Sequence, residues 1–293
     1  MADSTQDIDV ATPTVETVDL QKYDRRSLSY ASTFGDPRKA AIIRVIEAFT
    51  GKLTILRLVR KFEKRGAPTG QAFWRAALDV MGIDLMTPQS QLDRIPKDGP
   101  VIVVSNHPHG MVDGMIFADL IGRVRPDYRI LTRSLLTVID EVAGSYMIPV
   151  PFPHDPDAQR KGVEMRAKAM EHLKEGGVVA LFPSGGVAAS ETFFGPAVEG
   201  EWNVFTAKLI RRSGATVLPI RFPGQNSRAY QIANKLSPML RQGLLLHEIV
   251  HSLNKPQAPV VGHPLSDADL RKWDDDPRGF MAWLRDHTLS LTD

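Results

Sequence analysis

From Pro100 onward the chain alternates short apolar runs with amphipathic stretches, and this alternation limits the fold more than any other feature of the sequence. The runs are 101 to 105 (VIVVS), 128 to 132 (YRILT), 146 to 150 (YMIPV), 178 to 183 (VVALFP), 215 to 222 (ATVLPIRF) and 258 to 262 (APVVG). Between them, 158 to 175 places Val163, Met170 and Leu173 on one helical face, and 202 to 213 does the same with Trp202, Phe205 and Leu209. Strands alternating with helices predict an α/β fold, a mostly parallel mixed sheet flanked by helices. Such sheets bind ligands at the carboxyl ends of their strands, which directs attention to polar residues just after each apolar run.

Ahead of this alternation, Ala40 to Met81 has helical texture throughout. Breaks are expected near Thr50-Gly51 and between Gly66 and Gly70. Residues 1–35 read as a flexible acidic tail: five acids and no base precede Lys22, which lacks the basic and apolar regions of a secretory signal. Residues 36–293 read as one domain, with an N-terminal helical elaboration over 36–95, a core over 96–265 and a helical tail over 266–293.

No stretch approaches the roughly 18 to 20 uninterrupted apolar residues that a membrane-spanning helix needs. The net charge of +2 provides no general attraction for polyanions, so nucleic acid is not an expected partner. Charge is nevertheless uneven. Between Arg38 and Arg65 nine bases face two acids, Glu47 and Glu63, among residues such as Ile42, Ile43, Phe49, Leu53, Ile55 and Phe62. Two readings fit: a helix lying in the interface of an anionic membrane surface, or a helix packed on the domain with a solvated basic face. The absence of cysteine excludes disulfides, thiolate metal sites and cysteine nucleophiles together.

The densest cluster of reactive side chains is Ser105-Asn106-His107-Pro108-His109-Gly110-Met111-Val112-Asp113-Gly114, directly after the first apolar run. A histidine whose far ring nitrogen is held by a carboxylate keeps one tautomer and is strengthened as a general base toward a hydroxyl. His107 and Asp113 are the candidate catalytic pair. Gly110 and Gly114 permit close backbone approach, and a helix starting near Asp113 would aim N–H groups at a developing oxyanion.

These residues resemble the central motif of the glycerophospholipid acyltransferase superfamily, a histidine followed after a short spacer by an aspartate. Most members have four intervening residues and this chain has five. The longer form is similar to the branch containing haemolysin-like and lyso-ornithine lipid acyltransferases. Two later blocks, LFPSGGVAAS (181 to 190) and VLPIRFPGQNS (217 to 227), resemble that branch in the same order. The likeness extends over about Ile95 to Leu265. It implies transfer of a fatty acyl chain from an acyl-carrier protein (acyl-ACP) or coenzyme A (acyl-CoA) thioester to a hydroxyl of a lysolipid acceptor, with no resident cofactor or metal. It also implies a cytoplasmic protein held peripherally at the inner face of the cytoplasmic membrane. Asn106, His109, Gly110, Gly114, Arg133, Pro183, Ser184, Gly185 and Gly186 become candidate substrate-binding residues.

Some positions depart from the glycerol-phosphate members of that family, which carry a glutamate and a basic residue in an FPEGTR block and an arginine in the block before it. Here Ser184 and Val187-Ala188 stand in that block, and 148 to 150 contains no arginine. The departure favours a lyso-aminolipid over a glycerol-phosphate acceptor. Arg133 remains open as an anion contact or as a surface base. Two other classes stay in view: a zinc protease built on His247-Glu248-x-x-His251, and an inactive lipid-binding module that keeps the fold.

Overall fold

Val101 and Val103 pack into one apolar cluster and Ile102 and Val104 into another, so this run is a strand buried on both faces. Burial on both sides removes the alternation of polar and apolar residues seen in a one-sided strand. The computed structural model that contains it describes residues 29–33, 35–133, 141–152, 155 and 157–292. Its strands are β1 (Val101–Ser105), β2 (Tyr128–Arg133), β3 (Met147–Val150), β4 (Val178–Leu181), β5 (Ala189–Ser190), β6 (Ala197–Val198), β7 (Thr216–Arg221) and β8 (Val260–Val261). Six of them form a sheet in the order β3-β2-β4-β1-β7-β8, while β5 and β6 pair as a separate antiparallel hairpin. Every pairing in the large sheet is parallel except β7 with β8.

The helices are α1 (Pro37–Glu47), α2 (Leu53–Lys64), α3 (Ala72–Met81), α4 (Gln89–Leu92), α5 (Met111–Gly122), α6 (Glu141–Ser145) and α7 (Ala158–Lys174). They continue with α8 (Val204–Ser213), α9 (Arg228–Leu236), α10 (Pro238–Gly243), α11 (Leu245–His251), α12 (Asp267–Arg271) and α13 (Pro277–Leu289). One sheet face is covered by Trp74 and Leu78 of α3, Ile116 and Phe117 of α5, and Leu246 and Ile249 of α11. The other is covered by Met165 and Leu173 of α7, Leu209 and Ile210 of α8, and Phe280 and Leu284 of α13. The result is the helix–sheet–helix sandwich that the alternation predicts. Because Ile55 of α2 and Leu78 of α3 enter the same cluster as Val101 and Val103, the N-terminal helices share the core of the sheet.

The N-terminal region differs from expectation in two ways. Thr50-Gly51 does not break the helix; a π-helical turn over Ala48–Lys52 carries α1 into α2. Gly51 serves helix packing there, since a Cβ would lie 2.7 Å from the carbonyl oxygen of Leu246 in α11. Gly66 and Gly70, both at positive φ, do separate α2 from α3. The expected tail falls largely on residues outside the described ones, but packed structure begins before residue 36. Tyr30–Thr33 form a 3-10 turn, Ala31 is buried, and the buried carboxylate of Glu47 accepts from Ser29 Oγ (2.6 Å) and Tyr30 N (2.7 Å).

The basic helical segment has one face packed on the domain and another in solvent. Ala40, Ile43, Gly51 and Ile55 face the domain, while Ile42, Val45, Phe49 and Leu53 remain exposed at helical spacing, Phe49 to 88%. Among the described residues, no helix is long and apolar enough to cross a membrane.

Candidate active site

The carboxyl ends of β1, β4 and β7 lie side by side, and the segments that follow them converge. Asn106, one residue past β1, donates its amide to the Phe222 carbonyl (2.8 Å) and accepts from Phe222 N (2.8 Å), fastening β1 to the end of β7. Its amide is therefore committed to the scaffold. The next residue, His107, leaves the strand with its main-chain N–H donating to a carboxylate oxygen of Glu199 (3.0 Å) and its carbonyl accepting from Ala188 N (2.8 Å). The imidazole stacks on Phe182, with centroids 3.8 Å apart and planes 17° apart.

α5 starts at Met111, two residues earlier than expected, with Gly110 at φ 71° in front of it. This puts Asp113 in the first helical turn, where a carboxylate is favoured by the positive end of the helix dipole. Asp113 is fully buried and accepts three hydrogen bonds: from His107 Nδ1 (3.0 Å), His109 Nδ1 (3.0 Å) and His109 N (2.8 Å). Burial pushes its carboxyl up, but hydrogen bonds and charge interactions with His107 and His109 outweigh this and hold it below the ordinary value. One carboxylate thus fixes Nδ1 of both imidazoles as donors.

The two histidines differ in access. The His107 side chain keeps 17% exposure, and with Nδ1 engaged its Nε2 is the nitrogen left for chemistry. His109 is buried, with its Nε2 lying where a Cβ on Gly224 would come within 2.8 Å. Gly224 has φ 96°, so it supplies both the turn after β7 and the space for this ring. On the first turn of α5, a Cβ on Gly114 would meet nothing within 4 Å, so the helix start is open to an approaching group.

After β4 the chain turns sharply, with Gly185 N donating to the Phe182 carbonyl (2.9 Å) and Gly185 at φ 67°. Pro183 is buried and its carbonyl accepts from Asn203 N. Ser184 Oγ donates to the Gly186 carbonyl (2.9 Å) within the same turn. Arg133, at the end of β2, donates to the Gly185 (3.1 Å) and Pro151 (3.3 Å) carbonyls and lies over the Phe152 ring. Burial lowers its pKa. Ser184 and Gly186 line a cavity of about 280 Å³ together with Val187, Glu191 and Glu199. The expected site residues therefore gather at one end of the sheet.

Glu199 and Phe182 were not among the expected site residues. Glu199 is buried and its second oxygen accepts from Trp202 Nε1 (3.1 Å). Its sequence context, Glu-Gly-Glu-Trp, gives no sign that one glutamate is buried. Phe182 was legible only as the end of an apolar run.

Glu248 of the His247-Glu248-x-x-His251 segment is also buried, and accepts from the main-chain N (2.7 Å) and Oγ (2.5 Å) of Ser227 at the start of α9. His247 Nδ1 faces the Thr50 carbonyl at 3.2 Å. This carboxylate thus acts in the structure as a clamp between α11 and α9. Among the described residues, no group of three or more His, Asp or Glu side chains is arranged so that it could hold a metal ion.

Residues 89–223 match the family model described as Acyltransferase, which supports membership of the acyltransferase superfamily for the part of the chain holding His107, Asp113 and the turn after β4. No curated protein matches the chain.

Proposed function

We propose that this protein transfers a fatty acyl chain from an acyl-carrier protein or coenzyme A thioester to the free hydroxyl of a lysolipid, with His107 as general base and Asp113 as its orienting carboxylate. The observation that carries the reading is the Nδ1 to Asp113 contact of 3.0 Å on a partly exposed imidazole. With Nδ1 held as donor, Nε2 takes the acceptor's hydroxyl proton while the oxygen attacks the thioester carbonyl. The tetrahedral intermediate then collapses, the carbon–sulfur bond breaks, and the thiolate takes the proton back from Nε2. N–H groups of the first turn of α5, beside the open face at Gly114, suit the transient oxyanion. No enzyme nucleophile is needed, in keeping with a Ser184 hydroxyl that bonds within its own turn.

A lyso-aminolipid is the acceptor class favoured by the residues of the turn, because Ser184, Val187 and Ala188 offer no cation for a phosphate. Arg133 is the nearby base, and its two carbonyl contacts support a role in holding the Gly185 turn as well as any contact to an anionic group. The α1–α2 stripe supports peripheral association with an anionic membrane, which this reading assigns to the inner face of the cytoplasmic membrane. Full burial of a Phe, Ile or Leu side chain is worth about 1.5–3 kcal/mol, and Ile42, Val45, Phe49 and Leu53 leave most of that unrealised in water. Exposed bases such as Lys39, Arg57 and Arg60 complement anionic headgroups.

The test is an acyl-transfer assay of purified protein with carrier-protein and coenzyme A thioesters against lyso-aminolipid and lysophospholipid acceptors. Turnover abolished in a folded His107→Ala variant supports the reading. An inert wild-type protein that still binds lysolipid would assign it to the non-catalytic class, and a trapped acyl-serine at Ser184 would replace direct attack by nucleophilic catalysis.

A further inference from the structure

Phe193 and Phe194 sit side by side at the tip of the β5–β6 hairpin, 45% and 81% exposed. The tip is an ordered presentation of these rings. Ser190 Oγ donates to the Thr192 and Gly195 carbonyls, Gly195 N donates to Thr192 Oγ1, and Arg228 from α9 donates to the Gly195 carbonyl. At the hairpin's base, Ser190 N donates to Gln231 of α9. Two large apolar side chains held outward by that many polar contacts leave unfavourable apolar surface in water unless something covers them.

The position of the hairpin constrains what that is. Ala189, Glu191 and Val198 of the hairpin line the same cavity as Ser184 and Glu199, and Glu199 holds the main chain of His107. The hairpin therefore walls one side of a cavity whose Glu199 also holds the main chain of the candidate base. Behind it, β5 packs on α9, α9 on α10 and α10 on α1, an unbroken row of contacts leading to the helix that exposes Ile42, Val45 and Phe49. This row carries the exposed bases Arg38, Lys39, Arg228 and Lys235, and Leu236 adds a further exposed apolar side chain. Basic charge around apolar side chains complements an anionic bilayer.

We propose that the β5–β6 tip is a second membrane contact, with Phe193 and Phe194 inserting at the headgroup–acyl boundary of an anionic bilayer and so placing the cavity mouth at the lipid surface. The proposal rests on the membrane-associated acyl-transfer reading above. With the α1–α2 stripe alone the domain would be free to pivot about one helix; a second contact beside the cavity fixes which side of the domain meets the lipid. A lysolipid could then present its hydroxyl to His107 with its chain still in the bilayer.

The chain has no cysteine, so single-cysteine variants can be labelled without altering a background residue. Phe194→Cys, Phe49→Cys and Val163→Cys, the last an exposed position on α7, would each carry an environment-sensitive fluorophore and be mixed with vesicles of phosphatidylglycerol and phosphatidylethanolamine. Blue shifts at positions 194 and 49, with none at 163, are the expected result. A response at 49 alone overturns the second contact and leaves the helical one standing, whereas no response at either removes both. An equal response at 163, or one at 194 that appears without vesicles as protein concentration rises, also overturns the proposal. As a second measurement, the double variant Phe193→Ser, Phe194→Ser should melt like the wild type and bind the same vesicles at least about ten-fold more weakly. Unchanged vesicle affinity would refute the proposal.

Discussion

The main-chain nitrogen of His107 donates to the Glu199 carboxylate at 3.0 Å, joining residues 92 positions apart. His107 is thus gripped at both ends, its ring by Asp113 and its backbone by Glu199. Because the other Glu199 oxygen accepts from Trp202 Nε1, Glu199→Gln must turn an amide NH₂ toward one of two N–H donors. Losing a hydrogen bond to a charged group costs about 1.5–3 kcal/mol, so kcat should fall roughly ten- to a hundred-fold with KM little changed. Steady-state kinetics run beside thermal melts check this, and a lowered Tm with normal kcat would restrict Glu199 to stability.

Removal of the proposed base should be costlier in rate than in fold. His107→Ala is expected to lose about 100- to 10,000-fold in turnover. In Asp113→Asn, an amide faces three donors from His107 and His109 and must oppose at least one, releasing the tautomer; a loss approaching about 10,000-fold is expected. Initial acyl-transfer rates with circular dichroism for folding test both, and a folded Asp113→Asn enzyme with near-normal turnover would disprove the assignment of Asp113.

The depressed pKa of Asp113 carries a sign for stability against pH. Its folded value lies below the ordinary 3.8, so the ionised carboxylate stabilises the fold fully above that value. This contribution is lost as pH falls through the lower folded value. Denaturant melts of wild type and Asp113→Asn from pH 7 to pH 2.5 should show a stability gap that is constant down to about pH 4 and narrows below it. A gap that widens on acidification would contradict the direction of the shift.

Gly51→Ala tests the packing of the N-terminal helices on the core. Its Cβ would meet main-chain atoms of Leu246, which cannot rotate away as a side-chain end could. Overpacking of this kind costs about 1–3 kcal/mol, and urea unfolding should register it. A variant as stable as the wild type would mean that the π-helical turn over Ala48–Lys52 shifts without penalty.

The elements of the sandwich and the proximity of His107 to Asp113 were legible in the sequence because both are local. All six apolar runs contain strands, the helical spacing over 158–175 and 202–213 corresponds to α7 and α8, and His107 and Asp113 lie on either side of one strand-to-helix turn. β4 stops at Leu181 because the chain turns at Phe182–Gly185, which the apolar run itself did not signal. Contacts between distant segments were decided only by the tertiary structure. Parallel crossovers bring the ends of β1, β4 and β7 together, and this alone places Glu199 on the His107 backbone, Phe182 under its ring and Gly224 against His109. The same holds at Gly51, which reads as a helix breaker in isolation but becomes a helix contact once α11 packs against it. Periodicity reports which face of a segment is apolar; which partner covers that face depends on the path of the whole chain.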